Sequence, residues 1–98
     1  MILPITYRPA ATKDFEDSSD WYELSRIGLG DEFEAEIDAA LNLIRTHPNR
    51  FPVVRRDVRE APVNRFPFSI LYRVRSGRIV VISVFHNARD PAEWQGRV

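Results

Sequence analysis

His86, Arg89 and Trp94 stand close together near the end of the chain, in the stretch VFHNARDPAEW. An imidazole gains and loses a proton near neutral pH, so His86 is a candidate general acid. A guanidinium presents a planar fork of donors that suits carboxylate or phosphate. Thirteen of the fourteen basic residues are Arg, with Lys13 the exception. A single histidine with no assembled base is weak ground for catalysis. The other reading is structural: His86 bonds local backbone and orients the tail, and a turn at Asp90-Pro91 returns Trp94 to an apolar surface. Trp94 could equally anchor a partner. Trp21 reads as packing.

Other chemistry is narrower. Cysteine is absent, which removes disulfides, a thiol nucleophile and any Cys-based zinc site. The two histidines lie 39 positions apart, so a metal site has little to build on, and no metal or cofactor is expected. His47, before Pro48, reads as a helix-end residue.

Charge is segregated although the net charge is zero. Residues 1–50 hold five basic and ten acidic groups, whereas residues 51–98 hold nine basic and four acidic ones. A basic C-terminal half points to an acidic protein partner or a nucleic acid. The run RRDVRE (55–60) is either a solvated strand or a surface for acidic groups. No apolar run reaches membrane-spanning length, and the start lacks the pattern of a signal peptide. A cytoplasmic protein is expected.

Ninety-eight residues make a single domain, 1–98, with a hydrophobic fraction of 44%. ILPITY (2–7) reads as a short strand. A helix is predicted over 9–27, with Pro9 in its first turn and a stripe of Phe15, Ser18 or Ser19, Tyr22 and Ile27. GLG (28–30) punctuates it. A second helix is predicted over 31–46: Phe33, Ile37, Ala40, Leu41 and Ile44 fall on one face, and Asp31, Glu32, Glu34, Glu36 and Asp38 on the rest. HPNRFP (47–52) ends it. Strands follow over 53–61, 65–75 and 78–86, then a turn or short helix around Pro91–Trp94. The class is α+β in two layers, with the order β-α-α-β-β-β and a helical hairpin on one face of an antiparallel sheet.

Ser76-Gly77 is a two-residue hairpin turn. It sets Arg75 opposite Arg78, Tyr72 opposite Val81, Ser69 opposite Val84, Phe68 opposite Phe85 and Pro67 opposite His86. Opposite residues share a face. Phe68, Ile70, Tyr72, Val74, Ile79, Val81 and Phe85 then form the core face. Ser69, Leu71, Arg73, Arg75, Val80, Ile82, Val84 and His86 form the other, where Leu71, Val80, Ile82 and Val84 would make an exposed patch.

The element order, the helix ending in HP, then FPFSILYRV and VISVFHNARDPAEW resemble the toxins of the RelE/ParE superfamily, the toxin halves of bacterial type II toxin–antitoxin (plasmid stabilisation) modules. The resemblance covers roughly Thr6 to Arg97. It implies a helical hairpin on an antiparallel sheet, with the first strand beside the last. It also implies neutralisation by a cognate antitoxin, itself DNA-binding. Ribosome-dependent mRNA endonucleases of this superfamily carry a third-strand motif resembling Arg-Leu-Val-Tyr. Here those positions read Ser69-Ile70-Leu71-Tyr72, with Ser at the arginine position. The H-x-x-R-D-P-x-x-W arrangement, His86 to Trp94, resembles the ParE branch, which implies a binding poison of DNA gyrase. The alternatives are an mRNA endonuclease recruiting Arg65, Arg73, His86 and Arg89, and an inactive member that only binds its antitoxin. Contacts to target or antitoxin are expected from Arg55, Arg56, Arg59, Arg73, Arg75, Arg89, Trp94 and Arg97.

Overall fold

Alternating apolar residues in the second half of the chain build a sheet, and the apolar stripe of 33–44 supplies the helix that covers it. In the computed structural model, which describes residues 2–98, the elements run β1 (Ile5–Tyr7), α1 (Pro9–Ser25), α2 (Leu29–Thr46), β2 (Val53–Arg55), β3 (Val58–Pro62), β4 (Phe68–Arg75), β5 (Arg78–His86) and α3 (Ala92–Gln95). They form one five-stranded sheet in the order β1-β5-β4-β3-β2. Neighbours are antiparallel except β1, which lies parallel to β5. The expected antiparallel sheet is thus mixed at one edge.

The predicted strand over 53–61 is two strands. Arg55 pairs with Val58 across an Arg56-Asp57 turn, with Arg56 at φ +54°. No glycine marks that turn, and Asp57 alone is a weak turn signal within a charged run. The strand expected from Arg65 starts at Phe68, because Arg65 sits at φ +71° and breaks the extended run.

The helical hairpin turns at Gly28, whose φ of +89° suits glycine. α2 then starts at Leu29, earlier than the acidic cluster implied. A Cβ on Gly30 would come within 2.9 Å of the Ser19 carbonyl oxygen, so this glycine lets the two helices approach closely. Glu23 accepts the N–H groups of Gly28 at 2.9 Å and Gly30 at 3.0 Å, satisfying donors that a helix start leaves free. The hairpin packs on one sheet face around Ala11, Phe33, Ile37, Leu41, Ile44, Phe68, Ile70, Tyr72, Ile79 and Val81, all buried. Ile27 of the expected inner stripe and Trp21, read as packing, both face outward: Trp21 is 64% and Ile27 90% exposed. α1 stops at Ser25, so Ile27 leaves the helical period, and Tyr22 takes the inward position beside Phe33 and Phe66.

The β4–β5 register holds from the turn as far as Tyr72 opposite Val81, then slips. Leu71 pairs with Ser83, leaving Ile82 as an extra residue in β5. This bulge reverses the faces beyond it. Val84 joins the helix-side core and Phe85 joins the other face, each opposite to the register argument. His86 lies across from Phe68, not Pro67.

The second face is not the open patch predicted. Val58, Leu71, Ile82, Phe85 and Trp94 form a second buried cluster there, with Val80 and Val98 packed against it. The tail makes this cover. Asp90 caps the start of α3, its Oδ1 accepting the Ala92 N–H at 3.0 Å, and Trp94 folds down onto the strands. A bidentate pair fastens it: the Arg97 guanidinium meets the Asp14 carboxylate of α1 at 2.7 and 3.1 Å. β1 pairs with β5 only over Ile79–Val81, so the bulged stretch beyond it has a bare edge. Asp14 accepts the Ser83 hydroxyl at 2.9 Å and the Val84 N–H at 3.2 Å, and Arg97 donates to the Ile82 carbonyl at 3.1 Å. One ion pair therefore closes the sheet edge, satisfies the bulge and pins the tail. Among the described residues, no helix is long and apolar enough to cross a membrane.

Candidate functional site

A cleft of about 400 Å³ opens between the outer side of α1 and the end of β5, lined by Asp17, Ser18, Trp21, Tyr22, Phe68, His86 and Arg89. Each element contributes for a local reason. α1 brings Asp17, Ser18, Trp21 and Tyr22 within two turns. The bulge turns His86 onto the helix side, where its ring meets Phe68 edge-on with centroids 5.0 Å apart. The turn after β5 places Arg89, whose N–H donates to the His86 carbonyl at 3.0 Å.

His86 Nδ1 accepts the Ala88 N–H at 3.1 Å. In the neutral ring the proton therefore sits on Nε2. The charges beside it are already matched. Asp17 pairs with Lys13 at 2.9 Å, and Arg89 pairs with Glu93 at 2.9 Å. Both pairs are exposed and each is worth little in stability. The cleft thus offers an aromatic floor and a hydrogen-bonding ring, with no free carboxylate set against the histidine. An apolar ridge continues from it: Leu24, 89% exposed, follows Trp21 by one turn, and Ile27 follows Leu24.

The other candidate nuclease residues are elsewhere. Arg65 pairs with Glu32 at 2.7 Å, and its side-chain hydrogen bond, joined by that of Arg26, holds the Glu32 carboxyl below its ordinary range. Arg73 is buried on the opposite sheet face, paired with Asp57 at 3.0 Å. Ser69, at the position of the nuclease arginine, is also buried on that far face and donates to Asn87 Oδ1 at 2.9 Å. Ser69 and His86 were expected to share a face; the bulge puts the sheet between them. Of Arg65, Arg73, His86 and Arg89, only His86 and Arg89 line one cleft.

The expected contact residues also divide. Trp94 is 5% exposed and packs in the second cluster, so it is not a free anchor. Arg97 is held by Asp14, and Arg8 donates to its carbonyl at 2.9 Å. Arg59 donates to the Phe51 carbonyl at 2.6 Å and the Asn49 carbonyl at 3.3 Å. Arg73 is buried. Arg55, Arg56 and Arg75 stay exposed, as does Arg89. The exposed Trp21–Leu24–Ile27 ridge escaped sequence reasoning. Its signal was present, since three large apolar residues three apart outnumber what one inward stripe can bury.

A model of the family described as the ParE toxin of type II toxin–antitoxin systems, parDE, matches residues 5–91. The chain belongs to the ParE toxin family. It is the toxin type of a two-component toxin–antitoxin system, which makes an antitoxin its partner. Among curated proteins no sequence matches it. A solved structure titled as the chromosomal ParDE TA system from P. aeruginosa has the same fold, with a TM-score of 0.70 and 21% identity, covering 87% of this chain and 96% of that one.

Proposed function

We propose that this ParE-family chain arrests growth by binding, with DNA gyrase as its target and the bacterial cytoplasm as its place of action. The observation that carries the reading is the separation of Ser69 from His86 by the sheet. Cleavage of RNA by its own 2′-hydroxyl needs a base, a cation for the phosphorane and an acid around one phosphate. Here Arg65 and Arg73 are paired away from His86, and Asp17 already holds Lys13. We assign the antitoxin contact to the cleft and its ridge: an amphipathic segment lays apolar side chains along Trp21, Leu24 and Ile27 and orders as it binds.

Expression without antitoxin tests the target. Induction of the SOS response with filamentation, and trapped DNA cleavage by purified gyrase, are the expected results. Rapid mRNA loss would favour a ribosome-dependent nuclease, and no phenotype an inactive member. A finer test is His86→Ala at matched soluble expression. A binding toxin keeps most of its killing. A nuclease losing its general acid drops by about 10²–10⁴-fold in rate.

A further inference from the structure

Two hairpin tips stand side by side at the end of the sheet remote from His86: Arg56-Asp57 between β2 and β3, and Ser76-Gly77 between β4 and β5. The pairing places their arginines on one face. Arg75 is opposite Arg78, and Arg73 and Arg75 alternate with Val74 on β4. Arg55 is opposite Val58, whose side chain belongs to the cluster on this same outer face. Arg56 projects from the turn. Five guanidinium groups thus gather around one carboxylate, Asp57, with Glu60 further along β3 on the same face, opposite Leu71.

Asp57 is shared. It accepts from Arg73 at 3.0 Å and from Arg75 at 3.1 Å. Partial burial pushes its carboxyl up, but the Arg75 hydrogen bond and the nearby Arg73 charge outweigh that and hold it below the ordinary range. Arg55, Arg56 and Arg78 are exposed and have no acidic partner among the described residues. Arg73 even keeps a buried Nε–H with no acceptor. Donors exceed acceptors throughout the cluster. Directly opposed like charges, as in Arg75 and Arg78, weaken a hairpin. The sheet end therefore carries an excess of positive charge that a bound anion would neutralise.

We propose that this outer sheet end binds the phosphate backbone of a nucleic acid. Arginine forks take phosphate oxygens in pairs. Backbone contacts need a cationic surface and no pocket for a side-chain anchor. A protein partner is anchored mainly by apolar or aromatic groups in pockets. Two clefts among the described residues lie elsewhere, one beside His86 and one between α2 and the Arg50–Phe51 loop. The helical hairpin packs on the other side of the sheet, and its Asp14, which reaches the sheet edge, is neutralised by Arg97. The surface stands whether or not gyrase is the target.

The test uses the purified full-length protein and a fluorescent mixed-sequence DNA duplex, read by anisotropy over a salt series. Binding should weaken steeply with salt, by about 0.9 log units of affinity per log unit of salt for each phosphate neutralised. The combined variant Arg55→Gln, Arg56→Gln, Arg78→Gln should lose about tenfold or more in affinity at low salt, and its salt slope should fall by about three. A control with the same charge change, Lys13→Gln, Arg26→Gln, Arg50→Gln, should bind almost as the parent does. Circular dichroism confirms that both are folded. No duplex binding at low salt overturns the proposal. So does equal weakening in the two variants, which would mean a diffuse field and no site. Tighter binding of a polyglutamate chain than of the duplex, with the same dependence on the three arginines, would reassign the surface to an acidic protein.

Discussion

The two faces of the sheet are covered in different ways. On one, α1 and α2 lay a continuous apolar stripe over Phe68, Ile70, Tyr72, Ile79 and Val81. On the other, a nine-residue tail covers Val58, Leu71, Ile82 and Phe85 with one tryptophan, and an ion pair to α1 holds it in place. The first face is a redundant core, where many residues share the burial. The second depends on a few long-range contacts. Function follows the same division. Of the two proposed sites, the cleft lies on the helix side and the basic sheet end on the tail side.

Removing Asp90–Val98 should have the largest effect. It exposes the second cluster and leaves Asp14 without its cation, for an expected loss of about 5 kcal/mol or more, comparable with the whole stability of a small domain. Urea unfolding should find the truncated chain largely unfolded. Loss of killing on truncation would then report the fold and not a target contact, which changes what a toxicity assay of the tail can mean. A truncated chain with a parent-like midpoint would break the comparison.

Trp94→Ala should cost about 3–5 kcal/mol and Ile70→Ala about 2–5 kcal/mol, from lost transfer energy and the cavity left behind. The two sharpen the comparison as a pair. Ile70→Ala keeps the tail docked, whereas Trp94→Ala should expose sites near Gly96 to limited proteolysis under native conditions. Asp14→Ala should cost about 2–3 kcal/mol, because Arg97, Ser83 and the Val84 N–H lose their acceptor together. Its effect should be much smaller in a protein already carrying Arg97→Ala, a coupling that a double-mutant cycle reads directly.

The last effect is an alkaline one. Burial pushes the Tyr72 hydroxyl up to about 12 from 10.0, and Tyr72 donates to the Pro48 carbonyl at 2.7 Å. Burial, helped by Asp38, likewise raises Tyr7 to about 12. A folded-state value above the unfolded one means the stabilisation is complete below pH 10 and is lost as the pH climbs towards 12. Unfolding midpoints measured across that window should fall for the parent and fall less steeply for Tyr72→Phe.

Local pattern alone fixed much of this protein. The stripe from Phe33 to Ile44, the strong alternation from Phe68 to Tyr72 and the Ser76-Gly77 turn state helix, strand and hairpin within a few residues of themselves, because period and turn chemistry are short-range properties. The order of elements, with FPFSILYRV and the HNARDPAEW tail, was also enough to indicate the family. The tertiary structure decided the rest. A one-residue bulge at Ile82 leaves no mark in an apolar run such as RIVVISVFH, yet it moved Val84, Phe85 and His86 to the opposite faces. The Asp14–Arg97 pair joins residues 83 positions apart, so no local window holds it. Arg73 read as a surface contact, and Trp94 as either packing or an anchor, because composition carries no burial. Only the packed fold showed which arginines it uses for itself and which it leaves facing outward.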